Sequence, residues 1–179
     1  FVNDPDRYIS FMQDINGGGV LKKLHIPFAL GIKGTWIAFN SRSKISNPLQ
    51  TRYWSMVPYQ LGAGPDLQAV KYSARACSAL TAPMPHAPHP NFLKETMRSD
   101  LQKADACMEF LVQPRTSNAM SVEDSMTEWK ESQAPFYKVA TIRIPQQIFD
   151  TPDQNKFCEN LSFSPWHAQL EHKPLGAIN

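Results

Sequence analysis

The sequence predicts an α+β fold: four or more long strands in antiparallel order, forming a twisted sheet or barrel, with helices inserted between and after them. Three observations predict it. From Val139 to Ile144, Val139, Thr141 and Arg143 alternate with Ala140, Ile142 and Ile144, the period of a half-buried strand. Val70, Tyr72, Ala74 and Ala76 alternate with Lys71, Ser73 and Arg75. The run Thr51 to Gly62 precedes them across the turn residues Gly62 to Asp66, which makes a hairpin. Met108 to Val112 and Phe136 to Ile144 form a third and fourth strand, joined by a long polar connection centred on Glu123, Asp124, Glu128 and Trp129. That connection is too long for a tight hairpin and reads as a candidate functional loop.

The remaining elements follow in order. Asp4 can cap a helix, Pro5 suits its first position, and Tyr8, Phe11 and Met12 fall on one face; Asn16 to Gly19 stops it. Lys22 to Gly34 is ambiguous, interrupted by Pro27, and Thr35 to Asn40 is a short apolar run. Pro58 marks the first strand as an edge or a bulge. Pro83, Pro85, Pro88 and Pro90 make an extended surface segment. Asn91 to Cys107 has helical spacing, and Thr151-Pro152-Asp153 can start a last helix before an irregular tail. Strands are expected at about 52–61, 68–77, 107–115 and 136–145.

Composition bounds the function. With 179 residues, 42% of them apolar, the chain is one domain or a large piece of one. A net charge of +2 without a Lys/Arg block gives no reason to expect nucleic acid. No apolar run reaches the length of a membrane span. The opening Phe1-Val2-Asn3-Asp4-Pro5 reads as the interior of a longer protein, and the compartment stays open, the cytoplasm ahead of the periplasm. Cys77, Cys107 and Cys158 are far apart and odd in number, so all three are expected as free thiols. They form no CxxC pair, and His86 and His89 read as surface loop residues, so no metal site is expected. Dinucleotide, phosphate-loop, zinc-protease and nucleophile-elbow motifs are all missing.

A series of segments, in order, resembles the catalase family, and more closely its shorter catalase-like haem proteins. It runs from Phe1-Val2-Asn3-Asp4-Pro5 through Tyr53 to Tyr59 (YWSMVPY), Ala69 to Ser73 (AVKYS), Met108 to Gln113 (MEFLVQ) and Val122-Glu123-Asp124 with Trp129. It ends with Ile142 to Pro145 (IRIP) and Leu161 to Trp166 (LSFSPW). The resemblance implies an antiparallel β-barrel core with inserted helices. It also implies an oxidoreductase in which haem acts on hydrogen peroxide or organic hydroperoxides. Family members place the distal histidine before a segment like FVNDP and the proximal tyrosine after one like PLGAIN. By this resemblance residues 1–179 are a partial domain lacking both. Haem is then expected in the full-length protein and not in this chain alone, and no catalytic residue is carried over.

Pocket-lining positions can be carried over. Tyr8 and Phe11 match aromatic residues over the haem, Ser55 and Met56 a place near its edge, and Phe163 and Pro165 the proximal side. Helix-face core, strand packing and a packed loop are the respective structural alternatives. Ser73 and Arg75 stand where larger catalases use His and Lys for a nucleotide, so no nucleotide is expected. Three readings compete: a haem-dependent peroxide enzyme, a non-catalytic β-barrel module for an apolar ligand, and an inactive fragment of the first. Self-association is left open.

Overall fold

The computed structural model describes residues 2, 4–17, 20–41, 43–79 and 82–177. Helix α1 spans Pro5–Asn16, and Asp4 caps it by accepting from the Asp6 and Arg7 amides. Gly17 follows the helix, while the expected break at Gly18 and Gly19, like Phe1 and Asn3 of the opening motif and the end of PLGAIN, lies outside the described residues. The ambiguous stretch after it is helical: α2 covers Val20–Asn40 with Pro27 inside. Its interruption falls at Gly31, whose φ of 69° favours glycine, and the Thr35 hydroxyl donates to the Gly31 carbonyl at 2.8 Å. The two helices bury a small core of Val2, Phe11, Ala29 and Leu30.

Among the described residues the sheet has five strands: β1 (Tyr53–Trp54), β2 (Tyr59–Leu61), β3 (Gln68–Ala76), β4 (Ala106–Pro114) and β5 (Tyr137–Ile144). All pairings are antiparallel; β1 and β2 both pair with β3, then β4 and β5 follow. The expected first strand is thus an edge strand broken ahead of Pro58. Inside the break the Ser55 amide donates to the Tyr72 carbonyl, and the Ser55 hydroxyl accepts from the Tyr72 amide. A side chain completes the ladder where the backbone cannot. Gly62 turns β2 into β3 at φ 83°, with a Cβ there only 3.1 Å from the Asp66 carbonyl oxygen.

Two expectations are corrected. The sheet is open, because its outer strands β1/β2 and β5 lie on opposite edges and do not pair; closing a barrel requires that last pairing. Strand β5 is exposed on both faces, with Tyr137 and Val139 more than half accessible and Ile142 at 40%. Its alternation is present, but among the described residues no layer covers it. A bulge near its start, opposite Phe110 and Leu111, inserts Val139 as an extra residue.

Helix α3 spans Phe92–Lys103, with Asn91 at its start making no side-chain capping bond. Helix α4 spans Pro152–Glu159 behind a capping box of Thr151 and Gln154. The proline segment carries no helix or strand among its described residues. The free-thiol expectation is also corrected: Cys77 and Cys107 are disulfide-bonded, and only Cys158 is free and exposed. The β3–β4 register carries the two together. Ala76 pairs with Met108, and the next step puts the Cα atoms 5.6 Å apart, inside the usual range for a disulfide.

Ion pairs tie the surface of the sheet and α3. Asp105 accepts from the Gln146 amide and Arg143, Glu109 from Arg75 and Lys138, and Asp150 from Arg98. These hydrogen bonds, the Gln146 amide first for Asp105 and the arginine first for the others, hold each carboxyl below its usual pKa. A carboxyl depressed in the folded state contributes stability that is complete above its unfolded pKa and is lost as pH falls through the folded one. Stability is therefore expected to fall on acidification below the ordinary carboxylate range. The drop in urea midpoint between neutral and acid pH should be smaller in Asp150→Asn than in the unmodified chain; an equal drop would show that this pair carries none of it.

Candidate functional site

Residues paired directly across antiparallel strands share a face, so the sheet's two faces can be read from its register. On one face stand Lys71, Ser73, Arg75, Glu109, Leu111 and Gln113. The connection between β4 and β5 folds over this face. The buried Gln113 amide donates to the Trp129 and Ala134 carbonyls, Trp129 Nε1 donates to the Ser121 carbonyl, and Met120, Trp129 and Ala134 form a core of their own. The expected functional loop is thus a packed cover. Lys71 lies 5.1 Å from the Trp129 ring, and burial lowers its pKa against the opposing pull of Asp124 and Glu128. The Ser73 hydroxyl is held between Arg52 and the Tyr53 carbonyl, and Arg75 pairs with Glu109.

The other face is apolar and aromatic. Tyr59 pairs with Val70, Tyr72 with Val112 and Ala74 with Phe110. Tyr59 and Tyr72, then Tyr72 and Phe110, have ring centroids 5.3 Å apart, a ladder across three strands. The tail walls it in. Gln60 N–H donates to the Lys173 carbonyl, Tyr59 bridges Pro174, and Leu175 N–H donates to the Pro58 carbonyl. These bonds place the 164–172 segment over the ladder and leave a groove of about 510 Å³ between them. Pro165, His167 and His172 line the wall. Among the lining residues there is no Lys, Arg, Asp or Glu. The His172 Nδ1 is buried and has no hydrogen-bond partner. Burial, reinforced by Tyr59, pushes the Tyr72 phenol above its ordinary value, so it stays neutral.

The six haem-lining candidates are not gathered into one cavity. Pro165 lines the aromatic groove. Ser55 sits behind it, bonded to the Tyr72 backbone. Tyr8 and Phe11 are 6.3 Å apart on α1, where Phe11 packs into the helical core and Tyr8 is 45% exposed. Met56 and Phe163 project into solvent. The expectation missed Tyr59 and Phe110, although the alternation of β3 had already placed Tyr72 on their face. Among the described residues no three His, Cys, Asp or Glu side chains converge as a metal site, and no helix is long and apolar enough to cross a membrane.

No protein-family model matches the chain, and no curated protein does. Among solved structures it is similar to a fungal catalase, with a TM-score of 0.61 and 15% identity. The likeness covers 81% of this chain and 31% of that one, so the chain spans about a third of the catalase's length. At this identity the likeness concerns the fold.

Proposed function

We propose that residues 1–179 are part of a catalase-like haem protein acting on hydrogen peroxide or organic hydroperoxides. The observation that carries this reading is the likeness of fold to the fungal catalase over 81% of the chain. Haem would supply the redox chemistry at its iron. In this reading the distal histidine and proximal tyrosine lie outside residues 1–179.

The residues present do not fit haem by themselves. A haem needs an axial ligand and partners for two propionates. The aromatic groove offers His167 and His172 but no Lys or Arg, and of the candidates on α1 Phe11 packs into a separate core while Tyr8 is exposed. In this reading the chain's residues contribute an apolar wall; no step of the reaction is assigned to them. The expected result is that the 179-residue chain purifies without a Soret band, whereas the complete reading frame shows the band and releases oxygen from peroxide. A stoichiometric Soret-absorbing complex of the short chain would overturn the first part. A colourless full-length protein would overturn the haem reading itself.

The aromatic groove favours a second reading, a module that holds an apolar ligand without chemistry.

A further inference from the structure

We propose that the Cys77–Cys107 bond is a thiol–disulfide exchange site open in the folded chain: an incoming thiolate attacks Cys77 Sγ, and Cys107 leaves as the thiolate. This inference is independent of haem and of the aromatic groove.

Access singles out Cys77 as the sulfur attacked. It lies one residue beyond β3 and is exposed, whereas Cys107 lies within β4 and is half-buried. Both line a cleft of about 470 Å³ together with Leu49, Gln50, Lys103 and Ala104. A thiolate can therefore reach the bond from the Cys77 side without unfolding the ladder. Charge singles out Cys107 as the leaving group. The register sets Arg143 directly across from it on β5 and Arg75 diagonally from it on β3. The carboxylates that flank Cys107 in the chain are engaged: Asp105 pairs with Arg143, and Glu109 with Arg75 and Lys138. In the cleft Lys103 adds a cation, and Asp100, which accepts from Asn47, adds a carboxylate. Cations thus exceed carboxylates around Cys107. Neighbouring cations stabilise a thiolate, and a better-stabilised thiolate leaves faster.

The thiol is the only co-reactant the step needs. Its sulfur bonds to Cys77 Sγ as the Cys77–Cys107 bond breaks, and the electron pair of that bond departs on Cys107. A second thiolate then attacks the incoming sulfur of the mixed disulfide. Both cysteines end reduced, and the two thiols end oxidised as one disulfide. Helix α3 stays fastened when the bond opens, because the Gln147 amide donates to the Leu101 carbonyl at 2.9 Å and Asn47 donates to Asp100 at 2.7 Å.

Incubating the folded chain with glutathione at neutral pH, alkylating with iodoacetamide at timed intervals and mapping each cysteine by peptide mass tests the proposal, with Cys158 read on its own peptide. Early samples should carry glutathione on Cys77 and the alkyl group on Cys107, at a rate unchanged by urea below the unfolding transition. The reverse placement would overturn the roles given to the two sulfurs. Exchange that begins only within the unfolding transition would overturn the site itself, as would three free thiols in a chain never reduced. Arg143→Gln should slow the exchange about threefold and Arg143→Lys should restore it. An unchanged rate in Arg143→Gln would overturn the part given to charge. Mapping the unmodified chain decides the site and the roles of its sulfurs even where a variant fails to fold.

Discussion

Gln113→Leu is expected to destabilise the chain by about 2–4 kcal/mol, since it leaves two buried carbonyls without donors at roughly 1–3 kcal/mol each and regains some apolar burial. Gln113 is 1% exposed, and its Nε2 donates to Trp129 O at 2.9 Å and to Ala134 O at 2.8 Å. Those two carbonyls belong to the long connection between β4 and β5, which this side chain helps to hold against the sheet. The urea midpoint should fall, and Trp129 emission should shift to the red as the indole, 4% exposed at present, meets water. Gln113→Glu is the sharper variant. A carboxylate there faces two carbonyl oxygens, whereas the protonated acid can still donate once. Burial and those oxygens raise the folded-state pKa above the unfolded one. The variant's stability is then present below the unfolded pKa and lost as pH rises through the folded value. It should therefore lose less, relative to the unmodified chain, at acid pH than at neutral pH. A cost below about 1 kcal/mol for Gln113→Leu would mean that water or a backbone shift replaces both bonds.

The elements that the sequence made legible are those whose signals are local. Asp4 and Thr151 cap helices where their residue types and spacing say they should, and β3 lies where apolar and polar residues alternate in the sequence. Pro58 marks an edge because a strand interior needs the N–H that proline lacks. Non-local features were harder to read. The alternation of β5 is real, but alternation reports which residues could be buried and not whether a layer covers them. In α2 proline was read as an interruption, yet the break came at Gly31, the residue that can adopt positive φ. The aromatic groove depends on register across three strands and on a tail held to Pro58 from more than a hundred residues away. Only the Tyr72 part of it could be read from a single strand. The residues carried over from the catalase resemblance scatter because Tyr8 and Phe11 lie on α1, with only Phe11 in the helical core, and the remainder on the sheet and its tail.

Breaking the Cys77–Cys107 bond is expected to cost about 3–4 kcal/mol, the loop-closure entropy that a cross-link of this span removes from the unfolded chain. The two cysteines are 30 residues apart, and that separation conceals the pair in the sequence. In the fold they extend the β3–β4 ladder by one step beyond Ala76 and Met108, and the Cys77 amide donates to the Cys107 carbonyl at 3.1 Å. The intervening segment contains the prolines and α3, so the bond closes a loop that little sheet pairing restrains otherwise. Cys77→Ser/Cys107→Ser should lower the urea midpoint, and reductant should lower the unmodified chain to nearly the same value. The double variant should not respond to reductant. Counting thiols gives an independent check: the unfolded, unreduced chain should titrate one group, Cys158, and three after reduction. Three groups without reductant would mean that the bond does not form. One group with an unchanged midpoint in the double variant would mean that the bond forms but the loop is already restrained in the unfolded chain, since a cross-link stabilises only by removing conformations the open chain can reach.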